Sequence, residues 1–273
     1  MSPGPAPAPT APASHAPKGT PVMPLLRDTW LVFLRQLRPT LHNPVTGLGF
    51  SLLQPVLYLA LFAPLLSGMP GAMGRNSLDW FVPGVLAMLA LFGTSFAGFG
   101  LLPELRSGAH ERLLAAPVSR VALLLGRVMR DIAILLVQST AILLLVIPFG
   151  LRVSPLGAAA GLLVLLVMGV GLGTLSYMLA MSVKQEFVFP AILQTTTMPL
   201  ILLSGILLPM ELAPTWLYTL SRINPLSHVV DAERALFAGD FGDPSVLLGS
   251  GVALAVAVVA LALGTRLMRR LAA

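Results

Sequence analysis

Glu104, Arg106, His110, Glu111, Arg112, Arg120 and Arg127 crowd the stretch from Pro103 to Arg127, in a chain that is only 10% charged. On a helix starting at Pro103, Glu104, Ser107, Gly108 and Glu111 share one face at i, i+3, i+4 and i+7, and Leu105, Ala109 and Leu113 share another. Such an arrangement suits charge-complementary docking. The apolar side rests on the rest of the chain, and the acidic side meets a partner in water. A basic loop that only sets topology needs arginine alone, not two glutamates on one face. Ala116-Pro117 breaks this helix, and Ser119 is placed to cap a second one running through Arg120 and Arg127. The expectation is a docking helix, a break, and a lever.

Other chemistry finds no residue set. Lys18 and Lys184 follow Pro17 and Val183, so neither closes a G-x-x-x-x-G-K-[ST] loop, and the chain binds no ATP by that motif. H-E-x-x-H and G-x-S-x-G are absent. His15, His42, His110 and His228 are scattered without metal-ligand spacing, so no metal site is expected, and the chain has no cysteine.

The elements that position the charged stretch are apolar. The chain is 56% hydrophobic with 273 residues, and its mean hydropathy of +0.88 belongs to an integral membrane protein rather than a soluble one. Six apolar segments, Gly47–Leu66, Phe81–Leu102, Ile132–Phe149, Leu156–Met181, Phe187–Leu208 and Val246–Leu263, contain no Asp, Glu, Lys or Arg. Each is near the ~20 residues that cross a ~30 Å hydrocarbon layer as a helix. The expected fold is all-α: a six-span domain over 45–273. The first run begins near Gly47, too far into the chain for a cleaved leader. With the N terminus inside, only Arg75, Arg152, Arg222 and Arg234 of the 17 Lys and Arg residues fall outside. That asymmetry places both termini in the cytoplasm. It also explains the net charge of +6 without nucleic acid. Charge-free interiors disfavour a gradient-driven pump, because membrane-embedded ionisable groups persist for function. Asp131, at the inner boundary, is read as offsetting Arg127 and Arg130.

Residues 1–24 form a Pro/Ala-rich tail predicted to be disordered. Residues 25–38 read as an amphipathic helix with Leu26, Trp30, Phe33 and Leu37 on one face and Arg27, Asp28, Arg35 and Arg38 opposite. It suits the lipid headgroup region and is ended by Pro39 and Pro44. Residues 209–244 predict two short external helices, one around Trp216, the other over Asp231 to Phe237, separated by the Asn224-Pro225 turn. Gln54, Gln194, Thr195, Thr196 and Thr197 are polar groups at membrane depth. They are candidates for a translocation path or, equally, for hydrogen bonds within and between helices. Gly157, Gly161, Gly169 and Gly173 are spaced for close helix packing.

Glu104-x-Arg106-x-Gly108-x-x-Glu111-Arg112-Leu113-Leu114-x-x-Pro117-Val118-Ser119-Arg120, after the second apolar segment, resembles the signature of ABC-2 type transporter permeases, the membrane subunits of daunorubicin-resistance-type exporters. Ser204-Gly205-Ile206 with Pro209, Pro214-x-Trp216, Asn224-Pro225-Leu226 and Asp231-x-x-Arg234 resemble the family's segment after its fifth span. Ala109 and His110 depart from the usual pattern. The resemblance implies a homodimer docked on two separately encoded ATP-binding subunits, which hold ATP and Mg. It implies a coupling segment over 103–120, with Glu104–Leu114 seated in a cleft of the ATPase beside the 25–38 helix. The first, second and fifth spans then line the path, and the substrate is a drug, lipid, glycan or other amphiphile. A gradient-driven transporter and a non-transporting membrane scaffold stay open as alternatives.

Overall fold

The computed structural model describes residues 22–43, 50–67, 77–107, 119–183 and 185–270. Its described residues form helices, and no strand occurs among them. In chain order these are α1 (Val22–His42), α2 (Phe50–Ser67), α3 (Ser77–Ser95), a 3-10 turn (Ala97–Leu101) and α4 (Leu102–Arg106). They continue with α5 (Arg120–Val146), α6 (Pro155–Ser182), α7 (Val188–Leu202), α8 (Thr215–Ser221), α9 (Pro225–Phe237) and α10 (Pro244–Arg270).

Among the described residues, four stretches are long and apolar enough to cross a membrane: Leu78–Arg106, Arg120–Phe149, Pro155–Ser182 and Pro244–Met268. Two further apolar helices, Leu52–Phe62 within α2 and Val188–Leu202, are shorter. Six full-length spans were expected from the sequence, and the difference has a local cause at α7. Its 15 residues rise about 22 Å, short of a ~30 Å layer. Past Leu202 the chain turns, because Gly205 adopts φ +76, a left-handed conformation open mainly to glycine. The Ser204 hydroxyl accepts the Ile206 N–H at 3.3 Å, and Ile206 is fully buried. The segment expected to run on to Leu208 instead folds back into the core.

α3 is the centre of the molecule. Phe81, Val82, Val85, Leu86, Ala87 and Ala90 have no exposed surface, and α2, α5, α6 and α9 pack around it. α10 closes the bundle against α6 and α9. The glycine spacing on α6 does pack helices. A Cβ at Gly157 would lie 2.0 Å from the Leu236 carbonyl oxygen, and one at Gly161 would lie 2.8 Å from the Phe237 ring. Thus α9 rests directly on α6 backbone.

α3 ends at Ser95, and the chain tightens into the 3-10 turn before α4. The Ser176 hydroxyl of α6 bridges this break, donating to the Ser95 carbonyl and accepting the Gly98 N–H at 2.9 Å. α5 begins as expected: Ser119 is its N-cap, its hydroxyl accepting the Ala122 N–H at 3.1 Å.

α1 is longer than the 25–38 helix predicted, taking in Pro24 and Pro39. Pro39 does not end it, because the following turn is held. The Asn43 N–H reaches the Pro39 carbonyl at 3.2 Å, and buried Thr40 accepts from Arg130 at 3.4 Å. One side of α1, including buried Thr29, packs on α5. Leu26, Trp30, Leu31 and Leu41 are exposed on the remainder, beside exposed Arg27, Arg35 and Arg38. Phe33 is half-buried and its ring lies 5.1 Å from that of Trp30.

Candidate functional site: a coupling knot beneath a polar-floored cavity

The charged residues of α4 and the first turns of α5 are tied to neighbouring elements. Glu104, on α4, accepts a hydrogen bond from Arg127 of α5 at 2.5 Å; the arginine side chain is 6% exposed and the glutamate 33%. Glu104 therefore engages the bundle rather than only a partner in solvent. Arg106 reaches Glu186, between α6 and α7, at 2.8 Å. Asp28 of α1 accepts the Ser119 N–H at 3.4 Å. α4 is thus fastened to α5 and to the α6–α7 connection, and the start of α5 is fastened to α1. Ser107 is exposed and its hydroxyl donates to the Glu104 carbonyl at 3.3 Å. Arg120 opens α5, half-buried. Gly108, Glu111 and Arg112 lie outside the described residues.

One turn along α5 the second pair forms. Arg130 donates to the Asp131 carboxylate at 2.9 Å, and the Tyr177 hydroxyl of α6 donates to its other oxygen at 2.5 Å. Asp131 is buried. The pair does offset charge, as expected, but it also links α5 to α6 and faces a cavity.

That cavity, of about 1080 Å³, lies between α2, α3 and α5, with Gln194 of α7 on its wall. Its sides are aromatic and aliphatic, including Tyr58, Phe62, Phe92 and Phe96; its polar groups are Gln54, Gln138, Gln194, Arg130 and Asp131. Gln54 and Gln194, far apart in sequence, therefore share one space. Thr197 does not join them: it is buried and its hydroxyl donates to the Leu193 carbonyl of its own helix at 2.8 Å. Thr196 does the same with Ile192 at 2.9 Å. Thr195 is exposed and is not among the lining residues. Sequence reasoning passed over Gln138. The signal was available, since Asp131 and Gln138 are seven apart on an otherwise apolar helix and so share a face.

A separate polar cluster forms at the opposite end. Asn224 caps α9, accepting the Leu226 N–H at 3.0 Å, and donates to the Leu200 carbonyl at the end of α7 at 2.7 Å. Pro225 takes the first helical position, where its missing N–H costs nothing. Arg234 donates to the Gly205 carbonyl at 2.7 Å and to the Trp80 carbonyl at 3.3 Å. Its guanidinium sits 3.8 Å from the Trp80 ring centroid. Burial lowers the Arg234 pKa to about 10, with Asp231 and Glu211 acting against that shift. Asp231 pairs with Arg222 at 2.7 Å. Trp216, on α8, stands apart from this cluster, 69% exposed.

A residue missed entirely is Glu233. It has no exposed surface, and neither carboxyl oxygen has a hydrogen-bond partner. It lies on the buried side of α9, with Val229, Val230, Leu236 and Phe237.

Sequence comparisons agree with this architecture. The chain is 25% identical over 203 residues to the daunorubicin resistance ABC transporter permease protein DrrB1 of Streptomyces coeruleorubidus, covering 74% of this chain and 71% of the relative. It is 28% identical over 202 residues to the protein designated transport permease ycf38 of Cyanophora paradoxa, covering 72% and 69%. It is also 28% identical over 167 residues to the multidrug ABC transporter permease YbhR of Escherichia coli K12, covering 59% and 44%. Residues 27–238 match the family described as ABC-2 type transporter, and with its several membrane-length apolar helices the chain belongs to that family of multi-pass membrane transport subunits.

Proposed function

We propose that this chain is the permease subunit of an ATP-driven exporter, moved by separate ATP-binding subunits docked at its cytoplasmic end. The observation that carries this reading is the half-buried Glu104–Arg127 tie. It connects the segment between α3 and α5 to a helix whose next turn, at Arg130 and Asp131, forms part of the cavity wall. A displacement imposed on α4 reaches Arg127, and α5 carries it as a rod to the cavity. Tyr177 then passes it to α6 through Asp131. Glu111 and Arg112, next in sequence after Ser107, and exposed Arg27 and Arg35 of α1 are assigned to the same docking task.

In this reading α2 and α7 complete six crossings, as shorter elements that Gln54 and Gln194 place beside the cavity. A second copy of the chain closes its open side, giving a homodimer with both termini in the cytoplasm. The apolar walls with a few amide and charged groups suit an amphiphilic substrate such as a drug, lipid or glycan carrier. The names of two relatives, a daunorubicin resistance permease and a multidrug permease, support the drug class.

The test is ATP hydrolysis and transport in vesicles. Vanadate-sensitive ATPase activity is expected only when a cytoplasmic ATP-binding subunit is co-purified, with substrate movement requiring ATP. Movement driven by a proton gradient without ATP would overturn the proposal.

A further inference from the structure

Glu233 has no task in the mechanism above. α9 packs on α3, α6 and α10, and Glu233 has no exposed surface among them. The Glu233 carboxyl lies against Gly161, where an added Cβ would fall 2.9 Å from its Oε2. The Leu236 carbonyl abuts Gly157 on α6, and the His228 carbonyl abuts Gly249 on α10. No cation faces the carboxyl from any of these elements. α6 and α10 carry no charged side chain in the halves that meet α9; their first titratable groups are Tyr177 and Arg266. On α3 the nearest acidic group, Asp79, accepts the Arg152 N–H at 2.9 Å. On α9 itself His228 bonds to the Arg222 carbonyl, Asp231 pairs with Arg222, and Arg234 is bound to Gly205 and Trp80. Burial alone pushes the Glu233 carboxyl well above the ordinary carboxylate range. An isolated buried carboxylate is far costlier than the neutral acid.

We propose that Glu233 is a proton-binding site whose occupancy holds α9 in its seat between α6 and α10, so that lifting α9 into water releases one proton. The seated state binds the proton more tightly than the lifted state. Seating is therefore strongest below the ordinary Glu pKa, about 4.3. It weakens about tenfold per pH unit from there up to the raised value, and is constant beyond it. The side to which the proton leaves rests on the orientation proposed above; the proton itself does not. In that orientation, acid outside keeps α9 closed and alkali favours its opening.

The test uses the full chain in lipid nanodiscs without any ATPase, so its failure and the failure of ATP-driven transport are separate outcomes. Infrared difference spectra of chain labelled with 13C-carboxyl glutamate should show a protonated glutamate band at neutral pH that disappears in Glu233→Gln and in Glu233→Met. The second reading is labelling of a single cysteine replacing buried Ser227 on α9, in a chain with no native cysteine. Relative to the Glu233→Met background, its accessible fraction should rise up to tenfold per pH unit within the stated window. Absence of the band in the unmutated chain overturns the proposal without recourse to any variant. Survival of the band in either substitution, or an identical pH profile with and without Glu233, overturns it as well.

Discussion

Replacing Glu104 with Gln tests whether the inner tie transmits force. The substitution keeps size and a carbonyl acceptor but removes the charge opposite Arg127. Removing one partner of a fully buried pair costs about 3–5 kcal/mol. Here the glutamate is 33% exposed, so solvent screens the pair and lowers the figure toward the about 1.5–3 kcal/mol of a charged hydrogen bond. With the amide oxygen still accepting from the guanidinium, about 1.5 kcal/mol remains, roughly tenfold in an equilibrium constant. The assay places nitroxide labels on cysteines introduced at Leu57 and Ile134, which both line the cavity. It follows their separation in the chain bound to its ATP-binding partner. ATP is expected to shift the distance distribution in the wild type, with the shifted population falling about tenfold in Glu104→Gln while pull-down of the partner is unchanged. The exchanged pair, Glu104→Arg with Arg127→Glu, should recover part of the loss. A full ATP response in Glu104→Gln, or an exchange no better than either single change, would refute the coupling argument.

Four further outcomes follow from the packing. Arg234→Ala removes the bonds to Gly205 and Trp80 and should cost about 2–4 kcal/mol, read as a changed Trp80 emission and new protease cleavage between Leu203 and Leu208. Gly157→Ala forces a methyl into the Leu236 carbonyl and should lower the thermal midpoint by several degrees. Gly251→Ala on α10, where nothing lies within 4 Å, should be neutral or stabilising by up to about 1 kcal/mol. Thr197→Val should leave both stability and transport nearly unchanged, within about 1 kcal/mol, because its hydroxyl is satisfied on its own helix; a transport defect there would restore it to the path.

Local rules carried much of the architecture. The Ser119 cap, the Asn224-Pro225 start of α9 and the glycine face of α6 all follow from short-range geometry, which the sequence displays. Tertiary contacts decided the rest. Pro39 ends a helix in isolation, yet Thr40 holds the next turn against Arg130. The Phe187–Leu208 run is apolar throughout, but Gly205 and distant Arg234 end its helix at Leu202. Asp131 looked like a boundary charge because nothing local shows that Tyr177, 46 residues away, reaches it. Glu233 stood among Asp231 and Arg234 and passed as one more polar residue of an external helix. Its i, i+3 and i+4 relation to Val229, Val230, Leu236 and Phe237 placed it within the apolar stripe.

The single hydroxyl of Ser176 has a mechanical consequence. A break between two helices ordinarily introduces lost motion: the first part of any push is spent bending unpaired backbone. Here the carbonyl left by α3 and the Gly98 amide within the 3-10 turn are both held by one side chain of a neighbouring helix. The joint has a direction in which it can turn, about that hydroxyl, and little freedom to stretch. In the proposed mechanism, a displacement entering at α4 would meet α6 at this joint without first breaking a backbone hydrogen bond of its own.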